Sequence, residues 1–166
     1  FSRLMGKSSG AWLHQVFVVA VDQGNIDFDT YIRWLAHLVD AGHDYLGVTA
    51  PALARALRMD ADAGETPGYF FKTLSRMIGG RTAEPRSHIA ACLLCLHDLW
   101  SDHTTSAYRQ PATGLLLRQL IHERVDDYHV ILGILLRIPS ARRLPQLIDY
   151  IHGWMRGHFL QKALVS

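Results

Sequence analysis

The chain has 166 residues, 49% of them hydrophobic and 19% charged, with 17 Lys and Arg against 15 Asp and Glu for a net charge of +2. This is the length of one ordinary domain, enough to bury a core without disulfides or structural metal, and the composition excludes a disordered chain. So small a net charge excludes a strong nonspecific field for nucleic acid or membrane surfaces. The ten histidines would raise the charge steeply below about pH 6.5, which predicts pH-dependent partner binding.

Residues 1–9 read as a flexible leader, 10–160 as a single helical domain and 161–166 as a tail. From Gly10 to Asp22 the apolar residues Trp12, Leu13, Val16, Phe17, Val19 and Ala20 spread too widely for a half-exposed helix, so the first helix is expected to be buried. Asp22-Gln-Gly-Asn25 breaks it, and Asp27 or Asp29 can cap the second by accepting first-turn amide protons. That helix runs to about Gly42, with Phe28, Ile32, Leu35, Ala36 and Val39 inward and Arg33, His37 and Asp40 outward.

Thr49 before Ala50-Pro51 predicts a cap with proline in the first turn of a short third helix. Asp60 to Thr66 reads as an acidic loop. A fourth helix from about Pro67 to Ile78 presents Phe70, Phe71, Leu74 and Met77, and Gly79-Gly80 stops it. Ser87 caps a fifth, whose inward positions Ile89, Cys92, Leu93, Leu96 and Trp100 fall at helical spacing. From Leu115 to Ile138 the apolar density predicts one central helix, or two with a bend near Gly133, ended by Pro139. The last helix begins near Arg142 or Leu144 and reaches Phe159. No strand-like alternation competes, so the expected fold is all-α, a compact bundle of about seven helices around a long apolar central one.

Cys92 and Cys95 lie on one helical run, where a mutual disulfide would strain the backbone. No apolar run reaches the roughly 18 residues of a membrane span, and the first residues do not read as a signal peptide. Reduced thiols in a cytoplasmic setting are the expectation.

His14, the adjacent pair His43-Asp44, and Asp98 form the constellation with most chemical content. In kind and order it resembles the HD-domain family of metal-dependent phosphohydrolases, helical proteins in which a His, a His-Asp pair and a later Asp bind divalent metal. The resemblance covers the first hundred residues. It implies His14, His43, Asp44 and Asp98 as ligands, and a metal-bound water that attacks phosphorus in a phosphoester or nucleotide. The plainer reading makes His14 and His43 hydrogen-bonded core histidines and Asp44 a helix-end residue.

Other motifs carry less. His88, Cys92 and Cys95 share a helix face and are of zinc-binding type, but a structural site draws on a second segment, so the thiols are read as packing. Gly6-Lys7-Ser8 lacks the earlier glycine and the strand of a phosphate loop. Asp22 to Asp29 has Val19 and Thr30 where a calcium loop needs its end ligands. The turn between Met59 and Gly68 is too long and too acidic for a helix-turn-helix. Arg81, Arg86, Arg142, Arg143 and Arg156, with Arg109 and Arg137, are candidates for contact with nucleic acid or an acidic partner.

The expected function is a non-enzymatic helical interaction or assembly subunit that docks on protein partners or on itself, with a nucleoprotein complex as one setting, and without a cofactor. The alternatives are an HD-type phosphohydrolase using a divalent metal and a nucleic-acid-binding helical module.

Overall fold

A computed structural model describes residues 14–43, 46–79, 85–102, 105–124, 127–137 and 144–163. Among them the chain forms eight α-helices and no strand: α1 (residues 14–22), α2 (Phe28–Asp40), α3 (Ala50–Asp62), α4 (Tyr69–Ser75), α5 (Pro85–Ser101), α6 (Arg109–Ile121), α7 (Tyr128–Arg137) and α8 (Pro145–Ala163). No described helix is long and apolar enough to cross a membrane. The expected leader, residues 1–9, lies outside the described residues, and α8 continues three residues into the expected tail.

The start of α2 follows from Asp27, whose carboxylate accepts from the Thr30 amide and hydroxyl, each at 2.8 Å. Its inward stripe, Tyr31, Ile32, Leu35 and Ala36, is buried, while Arg33, His37 and Asp40 face out as their spacing predicts. Thr49 caps α3 by accepting from the Ala52 amide at 3.4 Å, and Pro51 sits in the first turn, where no amide proton is missed. α3 packs on α2, α4 and α5, α5 also meets α6 and α7, and α4 touches α6. The core therefore gathers around α3 and α5. Leu53, Ala56, Leu57, Cys92 and Leu96 are almost wholly removed from water, each large side chain contributing about 1.5–3 kcal/mol of transfer free energy.

Asp60, read from sequence as part of an acidic loop, is in the last turn of α3 and only 3% exposed. Its carboxylate accepts three backbone N–H groups at the start of α4: Gly68 at 3.0 Å, Phe70 at 3.0 Å and Phe71 at 2.8 Å. One helix thus supplies the cap of the next, and Gly68 offers no side chain of its own. A Cβ at Gly68 would lie 2.8 Å from the Asp60 carboxyl carbon, so the cap requires glycine there.

The segment expected as one helix from Leu115, or as two bent at Gly133, is two helices parted elsewhere. α6 ends at Ile121, and the polar run His122-Glu123-Arg124 turns the chain through Arg124 N–H to Ile121 carbonyl and Asp127 N–H to Arg124 carbonyl bonds of 3.0 and 3.1 Å. Charged groups at those positions have no place in a packed helix face, so the break falls there. Gly133 lies inside α7, and Ile138 is outside the described residues. This division accounts for eight helices where seven were expected.

The second half is joined by rings and hydroxyls. Trp100 Nε1 donates to Thr113 Oγ1 at 2.9 Å, which itself donates to the Arg109 carbonyl at 2.6 Å. The Arg109 guanidinium lies over the Trp100 ring at 4.6 Å, and the Tyr150 hydroxyl of α8 donates to the Gln110 carbonyl at 2.8 Å. Arg109, a candidate for phosphate contact by sequence, is thereby engaged within the fold.

Candidate functional site

The residues named from sequence sit in separate surroundings. His14, on α1, is half-buried, with Nε2 3.1 Å from the Tyr31 hydroxyl, and burial pushes its pKa down. His43 follows α2, where its amide donates to the Leu38 carbonyl at 3.1 Å. Asp44 lies outside the described residues. Asp98 is on α5, its side chain 58% exposed and 3.7 Å from His97 Nδ1.

Among the described residues, no three of His, Cys, Asp or Glu are grouped so as to hold a metal ion. His14, His43 and Asp98 do not form such a group among the described residues, and Asp44, the fourth expected ligand, lies outside them.

His88, Cys92 and Cys95 are separated by role. Both thiols are free and buried; burial pushes Cys95 up to about 12 and Cys92 higher still, which keeps them protonated and unreactive. His88 Nδ1 accepts from the Gly79 N–H at 2.9 Å. Gly79 has φ +90°, and a Cβ there would come within 2.0 Å of the Gln119 carbonyl oxygen, so the exit of α4 is pressed against α6 backbone. The imidazole is a structural acceptor, and its pKa is pushed down by burial and then by Arg124.

Of the arginines proposed for nucleic acid or an acidic partner, Arg86 on α5 and Arg156 on α8 are exposed. Arg81, Arg142 and Arg143 lie outside the described residues.

The most open apolar surface belongs to the helix expected to be buried. α1 reaches the core through Phe17 and Val21, and Phe17 meets Trp34 of α2 with ring centroids 4.8 Å apart. Away from that contact Val16 and Val19, one turn apart on the outer face, are 47% and 51% exposed, Val18 on the flank is 37% exposed, and Trp34, on the Phe17 side, is 39% exposed. The helix is not buried as its breadth of apolar residues predicts: the described residues cover one of its faces and leave the other open. Trp12 and Leu13 lie outside the described residues. Smaller apolar outcrops are Val130 and Ile134, one turn apart on α7, and Leu94 on α5.

Comparison with protein-family models, curated proteins and solved structures returned no match.

Proposed function

We propose that this chain is a non-enzymatic helical subunit that docks on a protein partner through the outer side of α1. The observation that carries the reading is the outward placement of Val16 and Val19 on a helix whose opposite side is already packed. Two apolar side chains one turn apart on an open helix face are the kind of surface that partners cover.

The magnitude sets the kind of partner. Burying the exposed part of each valine contributes on the order of 1 kcal/mol at about 25 cal/mol per Å². Association costs at least about 4 kcal/mol in lost freedom, so these anchors offset only part of that cost, and the partner must add contacts around them.

A photo-crosslinking residue at Val16 or Val19 tests the proposal. The expected product is a discrete crosslink to one protein chain, and Val16→Ser with Val19→Ser should weaken binding of the purified pair about a hundredfold. A crosslink to a second copy would identify self-association as the form of docking. If neither position crosslinks to any protein and light scattering shows a monomer at every concentration, the docking reading is wrong.

A further inference from the structure

α3 and the turn leading into α6 bound an open cleft of about 490 Å³, lined by Arg55, Arg58, Ala61, Asp62, Asp102 and Tyr108. That volume is in the range occupied by ligand sites. Its charged groups differ in how far they are already engaged. Arg55 is committed, with Nε and Nη2 donating to the two carboxylate oxygens of Asp29 at 2.5 and 2.7 Å. Arg58 is held loosely, its side chain 55% exposed and its guanidinium 3.6 Å from Asp102.

Asp62 stands four residues beyond Arg58, on the same face of α3, and is exposed. Tyr108 is half-buried and close enough to Arg58, Asp102 and Asp62 for all three charges to act on its phenol. Arg58 and Tyr108 also line a recess of about 10 Å³ beside Ala54, Leu57 and Leu99, room for one small apolar group or a water.

We propose that this cleft binds a short extended peptide segment with an acidic and a basic residue two positions apart. Its carboxylate is received by Arg58, and its ammonium or guanidinium by Asp62 against the Tyr108 ring. The sign pattern selects this ligand, because a purely anionic segment would face Asp62 and Asp102, and a purely cationic one would face Arg58. The spacing selects it as well. Residues four apart on a helix are separated by about 6 Å along the axis, and alternate side chains on one face of an extended chain by about 6.6 Å. In a free amino acid with an uncharged side chain both charges share one Cα, too close to reach both groups. The cleft shares no residue with the outer side of α1, so this inference stands or falls apart from the docking reading.

Titrating the whole chain with terminally blocked glutamyl-alanyl-lysine, followed by amide NMR, tests it. Shifts are expected at Ala61, Asp62 and Tyr108 with a dissociation constant on the order of 1 mM, as befits two contacts on an open surface. Arg58→Ala and Asp62→Asn should each weaken binding about tenfold. Arg118→Ala, an exposed change on α6, and Val16→Ser with Val19→Ser should leave it intact. The same peptides with two glutamates or two lysines are expected to bind at least about tenfold more weakly. Equal shifts with all three peptides, no shift with the mixed one, or binding untouched by Arg58→Ala would overturn the proposal. Free alanine binding as well as the tripeptide would also overturn it.

Discussion

α2, α3 and α4 are tied to one another by carboxylates, whereas α5, α6 and α8 are joined by an aromatic and hydroxyl node. In the first region Asp29 holds Arg55 across α2 and α3. Asp40 accepts from Tyr69 at 2.5 Å and from Arg76, across α2 and α4. Asp60 caps α4 from α3. In the second, Trp100, Thr113, Arg109 and Tyr150 interlock without a carboxylate among the bonds described above. Both regions contribute to one apolar core, so the difference lies in what registers one helix against the next. Acid should loosen the Asp29 and Asp40 joints and leave the second set intact.

The sharpest way to break that contrast is Asp60→Ala. It strands three amide donors, two of them in buried surroundings, and should cost about 3 kcal/mol or more, read as a lowered urea midpoint. A loss under about 1 kcal/mol would mean that water replaces the carboxylate and that α4 does not depend on its neighbour for a cap.

Thr113→Val tests the second region. The valine keeps the shape and removes the acceptor of the buried Trp100 N–H, so a loss of about 1–2 kcal/mol is expected. That loss should be the same at pH 7 and pH 4, because none of the three linked groups (indole, hydroxyl and carbonyl) titrates.

The smallest effect is the pH response itself. Hydrogen bonds from Arg55 lower the pKa of Asp29, and those from Tyr69 and then Arg76 lower that of Asp40. In the unfolded chain both carboxyls return to about 4. The stabilisation they confer is therefore complete above that value and is lost as pH falls through the lower native values. Urea midpoints measured downward from about pH 5 should decline, and Asp29→Asn with Asp40→Asn should flatten the decline. Both pairs stand half in water, which keeps the effect modest. An unchanged slope in the double variant would remove these joints from the comparison.

What the sequence revealed divides along the same line. Local signals were legible: Thr49 and Pro51 at the start of α3, Asp27 as one of two caps named for α2, and Ile89, Cys92, Leu93, Leu96 and Trp100 along the inward stripe of α5. Each depends on residues within a few positions of one another. Asp60 was not legible, because its partners begin eight residues away, across a turn whose path periodicity does not specify. The cleft was missed for a similar reason, since Arg58, Asp102 and Tyr108 are adjacent only after α3 and α5 have packed. For α1 the pattern showed how much apolar surface exists and not which neighbour covers it. The expected ligand set of His14, His43, Asp44 and Asp98 rested on order along the chain, which does not specify where side chains meet in space.

The contact at Gly79 has a consequence for how this sequence can drift. With a left-handed backbone angle and the Gln119 carbonyl 2.0 Å from where a Cβ would stand, position 79 admits one amino acid, and its constraint is imposed by backbone forty residues downstream. Gly133, Gly153 and Gly157 have open space around them and are free to change. Among relatives of this chain, then, a glycine aligned with position 79 marks the same α4-to-α6 contact, even where little else in the sequence is recognisable.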